Sequence, residues 1–491
     1  MRMRTLRTCV ALAAAGLVAC AEQTESPLTP ELGISESQST SQVVINVGLN
    51  TDATDEIRAE LAEFGTIAEE LPQIDVVFMV GQTRDIRSIA KLPFVAYAEE
   101  DSEVDTGPLD AELASDFLDG LSMWNLDAVN VTQPGFATRQ VAQTGAGVYV
   151  GVLDTGLLHT WRLYFPEERI AEEYATAFGG GWHPNAENPE LPNQWENDVN
   201  SHGTHVTSTI IGFDFNGTPV TGVAPEATII PVKVLGQTGS GFFSMVAAGI
   251  IYIADLKANE LSGSPVVINM SLGGGESATA ARAVDYAIER GVVVVASAGN
   301  SGTNGMGFPG SYEPVISAGS AGWGDCPTFP NVTSECYGQW AVGNWWWSRD
   351  VQEGSSDVFY ISGFSARELA GQDLDVIAPG HWVVGPFQLE PAAATSYFFL
   401  SGTSMASPHV AGIVALMLEQ DPTLTGPEVE DRLEAAATPM APGTHHPLAP
   451  VAACCFEFTW GDDATGHGFI TADAALGLTS SDEPEGKRGR R

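Results

Sequence analysis

The larger, C-terminal part of the chain alternates short apolar runs with longer segments of helical character. The short runs contain few polar residues, as expected of strands that are buried on both faces of a parallel sheet. They cover residues 148–153, 228–235, 266–271, 292–295 and 374–377. Helices are predicted at residues 242–258 and 278–290, and a further helix begins near residue 403. This order predicts an α/β fold in which helices cover both faces of a mostly parallel sheet.

A shorter series of elements precedes this part of the chain. Strands are predicted at residues 43–47, 74–80 and 94–98, and helices at residues 55–64 and 85–92. The first of these helices places Ile57, Leu61 and Phe64 on one face. The segment therefore predicts a second, small α/β domain. An unrelated role for it stays open, because short α/β patterns recur widely.

The first 20 residues have the pattern of an export signal. Three arginines precede an apolar run, residues 10–18, which is too short to span a bilayer. The run ends in Leu17-Val18-Ala19-Cys20, which is similar to the lipidation box of bacterial lipoproteins and predicts acylation of Cys20. Ordinary signal cleavage after Ala21 is the alternative. Residues 21–42 are polar and predict a tether between the signal and the small domain.

Acidic residues outnumber basic residues by 62 to 21, which gives a formal net charge of −41. A surface of this charge repels phosphate groups, so nucleic acid is excluded as a partner. The same charge favours solubility. It is compatible with a saline habitat, and equally with an acidic surface that has no catalytic importance.

Three polar residues stand where the predicted elements begin or end. Asp154 follows the run at 148–153, His202 starts a predicted helix, and Ser404 starts another. Open α/β sheets place their sites at the carboxyl ends of the strands. A serine hydroxyl is a weak nucleophile that needs a neighbouring base, and a helix N-terminus favours the negative charge that develops during attack. The three residues therefore form a candidate catalytic group in the order Asp, His, Ser.

The residues around these positions resemble the subtilisin-like serine proteases, the subtilase family of peptidase type S8. The resemblance rests on blocks in the family's order, within a stretch from about residue 124 to residue 478. Their cores are Asp154-Thr155-Gly156, Ser201-His202-Gly203-Thr204-His205, Ser271-Leu272-Gly273, Ala296-Ser297-Ala298-Gly299-Asn300 and Gly402-Thr403-Ser404-Met405-Ala406. A later segment, residues 466–472, is similar to a further family signature. The resemblance implies a subtilisin-like three-layer fold for a catalytic domain at residues 123–478.

The small domain, at residues 43–103, resembles the inhibitory propeptide of the same family, a ferredoxin-like α/β unit. The resemblance implies a precursor that processes itself within residues 104–122, where the sequence does not fix the bond. The propeptide would be a folding aid and an intramolecular inhibitor. If Cys20 is acylated, processing would separate the lipid from the enzyme. Residues 479–491, acidic and then basic, are expected to form a disordered tail.

The resemblance also implies a role for each residue of the candidate group. Ser404 would attack the scissile carbonyl and form an acyl-enzyme, His202 would transfer the proton, and Asp154 would orient the imidazole. Asn300 would donate its side-chain amide to the oxyanion. The chain would thus be an exported serine endopeptidase that needs no cofactor for its chemistry.

Eight residues are expected to bind substrate: Ser271, Leu272, Gly273, Ala296, Ser297, Ala298, Gly299 and Gly307. The first three would form one wall of the pocket for the side chain that precedes the scissile bond (P1). The next four would form the other wall, and Gly307 the floor. Because none of these residues is charged, we expect a preference for large apolar P1 side chains. Close packing of strands is an alternative reason for small residues here.

Three other polar residues have candidate roles outside the catalytic group: Asn216, His205 and His409. A structural calcium ion would take Asn216 and neighbouring carbonyl oxygens as ligands. However, residues 157–163 lack the carboxylate that is expected to complete such a site. His205 and His409 are interpreted as buried, hydrogen-bonded imidazoles rather than as further catalytic bases.

Two inserts depart from the family pattern. The first, residues 322–363, carries Cys326 and Cys336, which would suit a disulfide loop in an exported protein. It also carries Trp345-Trp346-Trp347, interpreted as cover for apolar core rather than as a contact surface for substrate. The second, residues 441–463, carries Cys454-Cys455 and two histidines. Bridging to other cysteines is favoured there over zinc, because the spacing matches no standard zinc signature.

Two classes of function remain open at this stage. An active endopeptidase would act on protein or peptide substrates and on its own propeptide, whereas a catalytically silent subtilase would only bind them. The complete set of candidate catalytic residues favours the enzyme, without distinguishing broad digestion from dedicated processing of few substrates. The chain is expected to leave a bacterial cell. The precursor would be held at a membrane only through a lipid on Cys20, and the mature enzyme would be secreted or periplasmic.

Overall fold

The computed structural model describes residues 41–107, 110–113, 123–133, 138–179, 189–323, 359–388, 395–445 and 458–478. The first of these segments holds a four-stranded antiparallel sheet and two short helices. In chain order they are β1 (Gln42–Leu49), α1 (Asp55–Leu61), β2 (Gly65–Leu71), β3 (Val76–Gln82), α2 (Ile86–Ile89) and β4 (Val95–Glu100). The strands lie side by side in the order β2-β3-β1-β4.

The strands and helices predicted for the small domain are present, but α2 spans only Ile86–Ile89 and β3 begins at Val76 rather than at residue 74, and one strand was missed. Helix α1 begins after Thr54, whose hydroxyl accepts the N–H of Ile57, and ends at Leu61 rather than at Phe64. Ile57 and Leu61 of α1 pack into a core shared with β1 and β3. Strand β2 escaped prediction because it lies at the sheet edge, where its side chains are mostly half-buried and include Glu69 and Glu70.

A mostly parallel sheet forms the centre of the larger domain. Its strands are β7 (Tyr149–Asp154), β8 (Thr176–Ala177), β11 (Thr228–Lys233), β13 (Val266–Met270), β15 (Val292–Ser297), β16 (Ile316–Trp323), β17 (Phe359–Ile361) and β18 (Val376–Pro379). The order is β17-β16-β15-β13-β7-β11-β8, and β18 also pairs with β16. Strand β7 is parallel to β11 and β13, and β13 to β15, whereas β17 is antiparallel to β16.

Helices cover this sheet on both faces, which completes three layers. Helices α4 (His202–Ile211) and α7 (Thr403–Gln420) lie on one face, and α5 (Phe243–Ala258) and α6 (Ala278–Glu289) lie on the other. The run of valines in β15 serves both layers, because successive side chains of a strand point to opposite faces. Val293 and Val295 pack with α4 and α7, whereas Val292 and Val294 pack with α5 and α6. The predicted fold class is confirmed.

Smaller elements surround the three layers. The helices are α3 (Trp124–Ala128), α8 (Gly426–Ala436) and α9 (Ala472–Ala475). The strands are β5 (Glu103–Asp105), β6 (Asp110–Leu113), β9 (Gly212–Phe215), β10 (Thr218–Thr221), β12 (Ser240–Phe242), β14 (Gly273–Gly274), β19 (Val383–Pro386), β20 (Tyr397–Ser401), β21 (Gly443–His445) and β22 (Phe458–Trp460). No helix within the described ranges combines the length and the apolar character that crossing a membrane requires.

Several sequence predictions concern residues outside the described ranges. These are the export signal with Cys20, the tether apart from its last residues, Cys326, Cys336, Cys454, Cys455, the run Trp345-Trp346-Trp347 and the C-terminal tail. The first insert leaves the main sheet at the end of β16, and the chain returns as β17 beside the same strand.

Candidate active site

The site lies where the central strands of the main sheet end. Asp154 is the last residue of β7, Ser271 follows β13, and Asn300 follows β15 by a short loop. Helices α4 and α7 pack against each other on one face, and His202 and Ser404 lie in their first turns. Because parallel strands end at one sheet edge, the fold brings together residues that are up to 250 positions apart in the chain.

Asp154 and His202 form a buried pair. His202 Nδ1 lies 2.8 Å from Asp154 Oδ1 and 3.0 Å from Asp154 Oδ2, and neither side chain is exposed to solvent. The backbone N–H of Thr155 donates to Asp154 Oδ1 at 2.7 Å and fixes the carboxylate. A carboxylate accepts hydrogen bonds, so the pair assigns the proton of a neutral imidazole to Nδ1 and leaves Nε2 as the base.

His202 Nε2 is buried and has no hydrogen-bond partner among the described residues. Ser404, itself buried, donates its hydroxyl instead to the carbonyl of Ser271 at 3.2 Å, and it also lies 3.5 Å from the carbonyl of Thr106. The serine–histidine hydrogen bond is therefore not formed in this state. Such bonds are often loose before substrate binds and tighten in the reactive complex.

Asn300 is held so that its amide nitrogen is available. Its Oδ1 accepts both the backbone N–H and the hydroxyl of Thr403 at 2.9 Å each, which fixes the orientation of the amide. Nδ2 then faces the backbone at Gly107, where an added Cβ would lie only 2.9 Å away. An amide N–H donor fixed beside the nucleophile is suited to stabilising the oxyanion that forms during attack.

A cavity of about 350 Å³ opens beside Ser404. Five of the eight predicted substrate-binding residues line it: Leu272, Gly273, Ser297, Gly299 and Gly307. The other three lie outside the lining. Ser271 contacts Ser404 directly, and Ala296 and Ala298 are buried in the two apolar cores that flank the sheet. Asn304 and Met306 also line the cavity, and the sequence analysis did not single them out.

His205 and His409 are buried, hydrogen-bonded imidazoles, as the sequence predicts. His205 Nε2 lies 3.1 Å from the carbonyl of Val383, and burial lowers the pKa of His205 to about 3. His409 Nδ1 donates to the carbonyl of Met405 at 2.7 Å, and burial lowers the pKa of His409 to about 4. Both rings therefore stay neutral at ordinary pH and serve packing.

The residues before Gly107 run through the site as an extended segment. Strand β5 pairs antiparallel with β12 on one side and with β14 on the other. The N–H of Thr106 then donates to the carbonyl of Gly239 at 3.1 Å. Farther along, β6 pairs antiparallel with β20, the strand that leads into Ser404. The chain is thus held as a strand before and after the nucleophile.

The proposed calcium ligand Asn216 lies in the turn between β9 and β10. Its Oδ1 accepts the hydroxyl of Thr395 at 3.2 Å, and Asp214 Oδ1 accepts the N–H of Gly217 at 2.5 Å. These oxygen atoms already have partners, and a calcium ion requires six to eight oxygen ligands. The turn is thus a poor fit, and calcium there stays a prediction. Elsewhere in the described ranges, Asp373, Asp375 and Glu434 bring carboxylate oxygens within 4.8 Å of one another.

Asp198 and Lys233 were missed by the sequence analysis, although both are buried beneath the site. Asp198 accepts the hydroxyl of Thr155 at 3.1 Å, and Lys233 Nζ donates to the backbone carbonyl of Thr155 at 2.6 Å. A lone carboxylate in a polar loop and a lone lysine at a strand end usually lie at the surface, so their sequence signals were weak.

Comparisons with known proteins agree with this geometry. The family model described as "Subtilase family" matches residues 145–477. Subtilisin DY of Bacillus licheniformis is 34% identical over 299 residues, which covers 60% of this chain and 85% of that protein. Subtilisin E of Bacillus subtilis (strain 168) is 31% identical over 379 residues, which covers 76% of this chain and 78% of that protein.

A solved structure shows the same fold. Fervidolysin from Fervidobacterium pennivorans, described as a keratinolytic enzyme related to subtilisin, matches with a TM-score of 0.61 and 25% sequence identity. The match covers 92% of this chain but only 63% of fervidolysin, so this chain spans less than two thirds of that protein's length. With the family match over most of its larger domain, the chain belongs to the subtilase family and is a serine endopeptidase.

Proposed function

We propose that this subtilase is exported as a self-processing precursor and hydrolyses peptide bonds through an acyl-enzyme on Ser404. The observation that carries the proposal is the buried contact of 2.8 Å between Asp154 and His202, together with the unpartnered Nε2 of His202. Leaving a buried polar atom unpaired costs about 1–3 kcal/mol. Such a cost is expected where the atom must receive a proton during the reaction.

Each step of the reaction has a residue to perform it. Ser404 Oγ loses its proton to His202 Nε2 as it bonds to the scissile carbonyl carbon, and Asp154 stabilises the imidazolium that forms. Asn300 Nδ2 and the backbone N–H of Ser404 stabilise the oxyanion. The imidazolium then gives its proton to the leaving amine, and water hydrolyses the acyl-enzyme by the same route.

The cavity beside Ser404 favours large apolar P1 side chains. Its volume of about 350 Å³ accepts an aromatic ring, and Leu272 and Met306 contribute apolar surface to the lining. Glycines at positions 299 and 307 leave the space free. The lining residues of the catalytic domain include neither an Asp nor a Glu that could pair with a basic P1 group.

Peptidyl phosphonate probes test both the nucleophile and the P1 preference. On the processed protein, a probe with phenylalanine at P1 is expected to label Ser404, as peptide mass mapping would show. The same probe with lysine at P1 should react roughly tenfold or more slowly, because a charged end would be desolvated without a partner. Faster labelling by the lysine probe would refute the P1 preference. Failure of both probes on correctly folded protein would favour the catalytically silent alternative.

We also propose that residues 43–103 are the inhibitory propeptide. Its carboxylates cap two helices of the catalytic domain. Glu99 accepts the N–H groups of Ala278 and Thr279 at 3.1 Å each at the start of α6, and Asp101 accepts the N–H and hydroxyl of Ser244 at the start of α5. Negative groups at helix N-termini are stabilising, since the first N–H groups lack partners and the helix dipole is positive there.

Arg282 of α6 also bonds the two domains, but here the side chain belongs to the catalytic domain and the acceptors to the small domain. Its Nη1 donates to the backbone carbonyl of Ile74 at 2.9 Å and to that of Leu49 at 3.1 Å, both in the small domain. Side chains of each domain therefore satisfy backbone groups of the other. This docking supports an inhibitor that holds residues 103–107 in the cleft.

Self-processing is expected just after Thr106, whose carbonyl lies 3.5 Å from Ser404 Oγ. N-terminal sequencing of the purified wild-type protein should find a new terminus within residues 107–110. A terminus outside residues 107–110 would contradict this register. An active protein that remains covalently intact would contradict self-processing altogether.

Export rests on the first 20 residues, and lipidation of Cys20 on the sequence pattern alone. Metabolic labelling with a fatty acid would tag the precursor if Cys20 is acylated.

Dedicated processing of a few substrates is the alternative to broad digestion within the same enzyme class. The chemistry described above uses groups of the chain and water, without a cofactor.

A further inference from the structure

A second carboxylate, that of Asp198, lies buried next to the pair formed by Asp154 and His202. Only 1% of Asp198 is exposed to solvent. Its Oδ1 accepts the backbone N–H of Asn200 at 2.9 Å, and the N–H of Ser201 lies 3.1 Å from each of its oxygens. Its Oδ2 also accepts the hydroxyl of Thr155 at 3.1 Å. Every one of these donors belongs to a residue close to the candidate catalytic pair.

Thr155 connects Asp198 to both members of that pair. It directly follows Asp154, and its N–H donates to Asp154 Oδ1 at 2.7 Å. Its hydroxyl oxygen accepts the N–H of Gly203, the residue after His202, at 2.9 Å. The same hydroxyl donates to Asp198. The Thr155 hydroxyl thus accepts a hydrogen bond from the helix that carries His202 and donates one to the carboxylate of Asp198.

Asp198 also fixes the backbone at Ser201, which directly precedes His202. Ser201, the residue before His202, has a φ of 74°, in the left-handed region that residues other than glycine seldom adopt. Such a backbone conformation persists only where the surroundings hold it. The two contacts from the Ser201 N–H to the Asp198 carboxylate stabilise this backbone conformation.

Lys233 supplies a positive charge that interacts with both carboxylates. It is 1% exposed, and its Nζ donates to the carbonyls of Thr155 at 2.6 Å and Leu235 at 2.8 Å. Burial lowers the pKa of Lys233, whereas the charges of Asp198 and Asp154 raise it. Burial raises the pKa of Asp198 to about 6, against the opposing effects of Lys233 and of the N–H groups of Ser201 and Asn200.

We propose that Asp198 is a positioning residue for the proteolytic reaction, acting through Thr155 and Ser201, and that its charge, balanced by Lys233, sets the charge environment of His202. This inference rests on the proposed roles of Asp154, His202 and Ser404. The charged groups that act on Asp198 are Lys233 at the end of β11 and Asp154 at the end of β7. Asp154 in turn holds His202 at the start of α4. None of these contacts requires Asp198 to touch substrate.

The test compares pH profiles of kcat/KM for processed wild type and Asp198→Asn on a peptide substrate. Asparagine keeps the shape and the acceptor oxygen but removes the charge. We expect kcat to fall roughly tenfold, with KM little changed, because the pair loses orientation rather than substrate contacts. The acid limb should move to lower pH by about half a unit or more, because the imidazolium loses a nearby negative charge.

Lys233→Met should move the acid limb in the opposite direction, because it removes a positive charge and keeps the apolar stem. Lys233→Arg should return the limb to the wild-type position. Asp431→Asn is the matched control, since it removes one carboxylate from the exposed side of α8 and should leave the profile unchanged. Opposite shifts in the two charge-removing variants would support the proposal, because a merely structural role would lower activity without them.

Profiles of Asp198→Asn that coincide with wild type in the position of the acid limb would overturn the proposal. If Lys233→Met does not fold, Asp198→Asn and Lys233→Arg decide between the same outcomes. Failure of the proposed function is recognised separately, by activity that survives Ser404→Ala. If Ser404→Ala is inactive and the pH profile of Asp198→Asn is unshifted, the roles proposed for Asp154, His202 and Ser404 stand and only the role proposed for Asp198 is refuted.

Discussion

Replacing Ser404 by alanine is expected to lower kcat on the order of 10⁶-fold, the size known for loss of the nucleophile in subtilisin, a member of this family. Ser404 is buried in the first turn of α7, and its hydroxyl lies within reach of the carbonyl of Thr106. Without this oxygen no acyl-enzyme can form. Residual catalysis of about 10³–10⁴ over water would come from Asn300 and substrate binding alone. Peptide hydrolysis and phosphonate labelling measure the loss.

The same variant separates catalysis from folding. Ser404→Ala should accumulate as the full-length precursor, because the bond after Thr106 can no longer be cut from within. Its docked propeptide should remain in place, since the contacts of Glu99, Asp101 and Arg282 do not involve Ser404. A processed Ser404→Ala protein, made in a host whose own proteases do not cut the chain, would contradict the assignment of the nucleophile.

Asp154→Asn is expected to lower kcat about 10⁴-fold while the fold stays intact. The carboxylate of Asp154 now accepts the Nδ1 proton of His202 from 2.8 Å and leaves Nε2 as the base. An asparagine that keeps its oxygen on the N–H of Thr155 would present its NH₂ group to Nδ1. The imidazole proton would then reside on Nε2, which could no longer accept the proton of Ser404.

Crystallography or histidine NMR of Asp154→Asn would check the tautomer, and kcat the consequence. Asp431→Asn again serves as the control for a lost acidic charge. KM should change little, because Asp154 is fully buried and does not line the P1 cavity. An Asp154→Asn enzyme within tenfold of wild type would refute the role proposed for this residue.

The central fold and the candidate triad could be predicted because their signals are local. The valines of β15 form an uninterrupted apolar run, and such a run is typical of a strand covered on both faces. Asp154, His202 and Ser404 stand at the ends of such elements, where the order of the chain alone suggests a common sheet edge. Strand β2 lacked this signal, because an edge strand with half-buried glutamates is not apolar.

The details of the site depend on orientation, which the sequence does not display. Ser297, Ala296 and Ala298 are similar in size and adjacent in the chain, yet Ser297 lines the cavity whereas both alanines point into apolar cores. Asp198 lies in the loop before α4, whereas Lys233 is the last residue of β11, and the two meet only at the sheet edge. Their burial follows from tertiary structure, so composition and spacing alone predict solvent exposure for both.

Under the proposed processing after Thr106, the capping of α5 and α6 by Asp101 and Glu99 would make maturation irreversible for the fold of the enzyme. The chain folds with these carboxylates tethered to it, so they are present at a high effective concentration. After cleavage and departure of the propeptide, the same helix ends must be satisfied by water. The mature molecule would then persist because it unfolds slowly, and its lifetime would be set by a barrier rather than by an equilibrium. The precursor would thus carry folding information that the finished enzyme no longer contains.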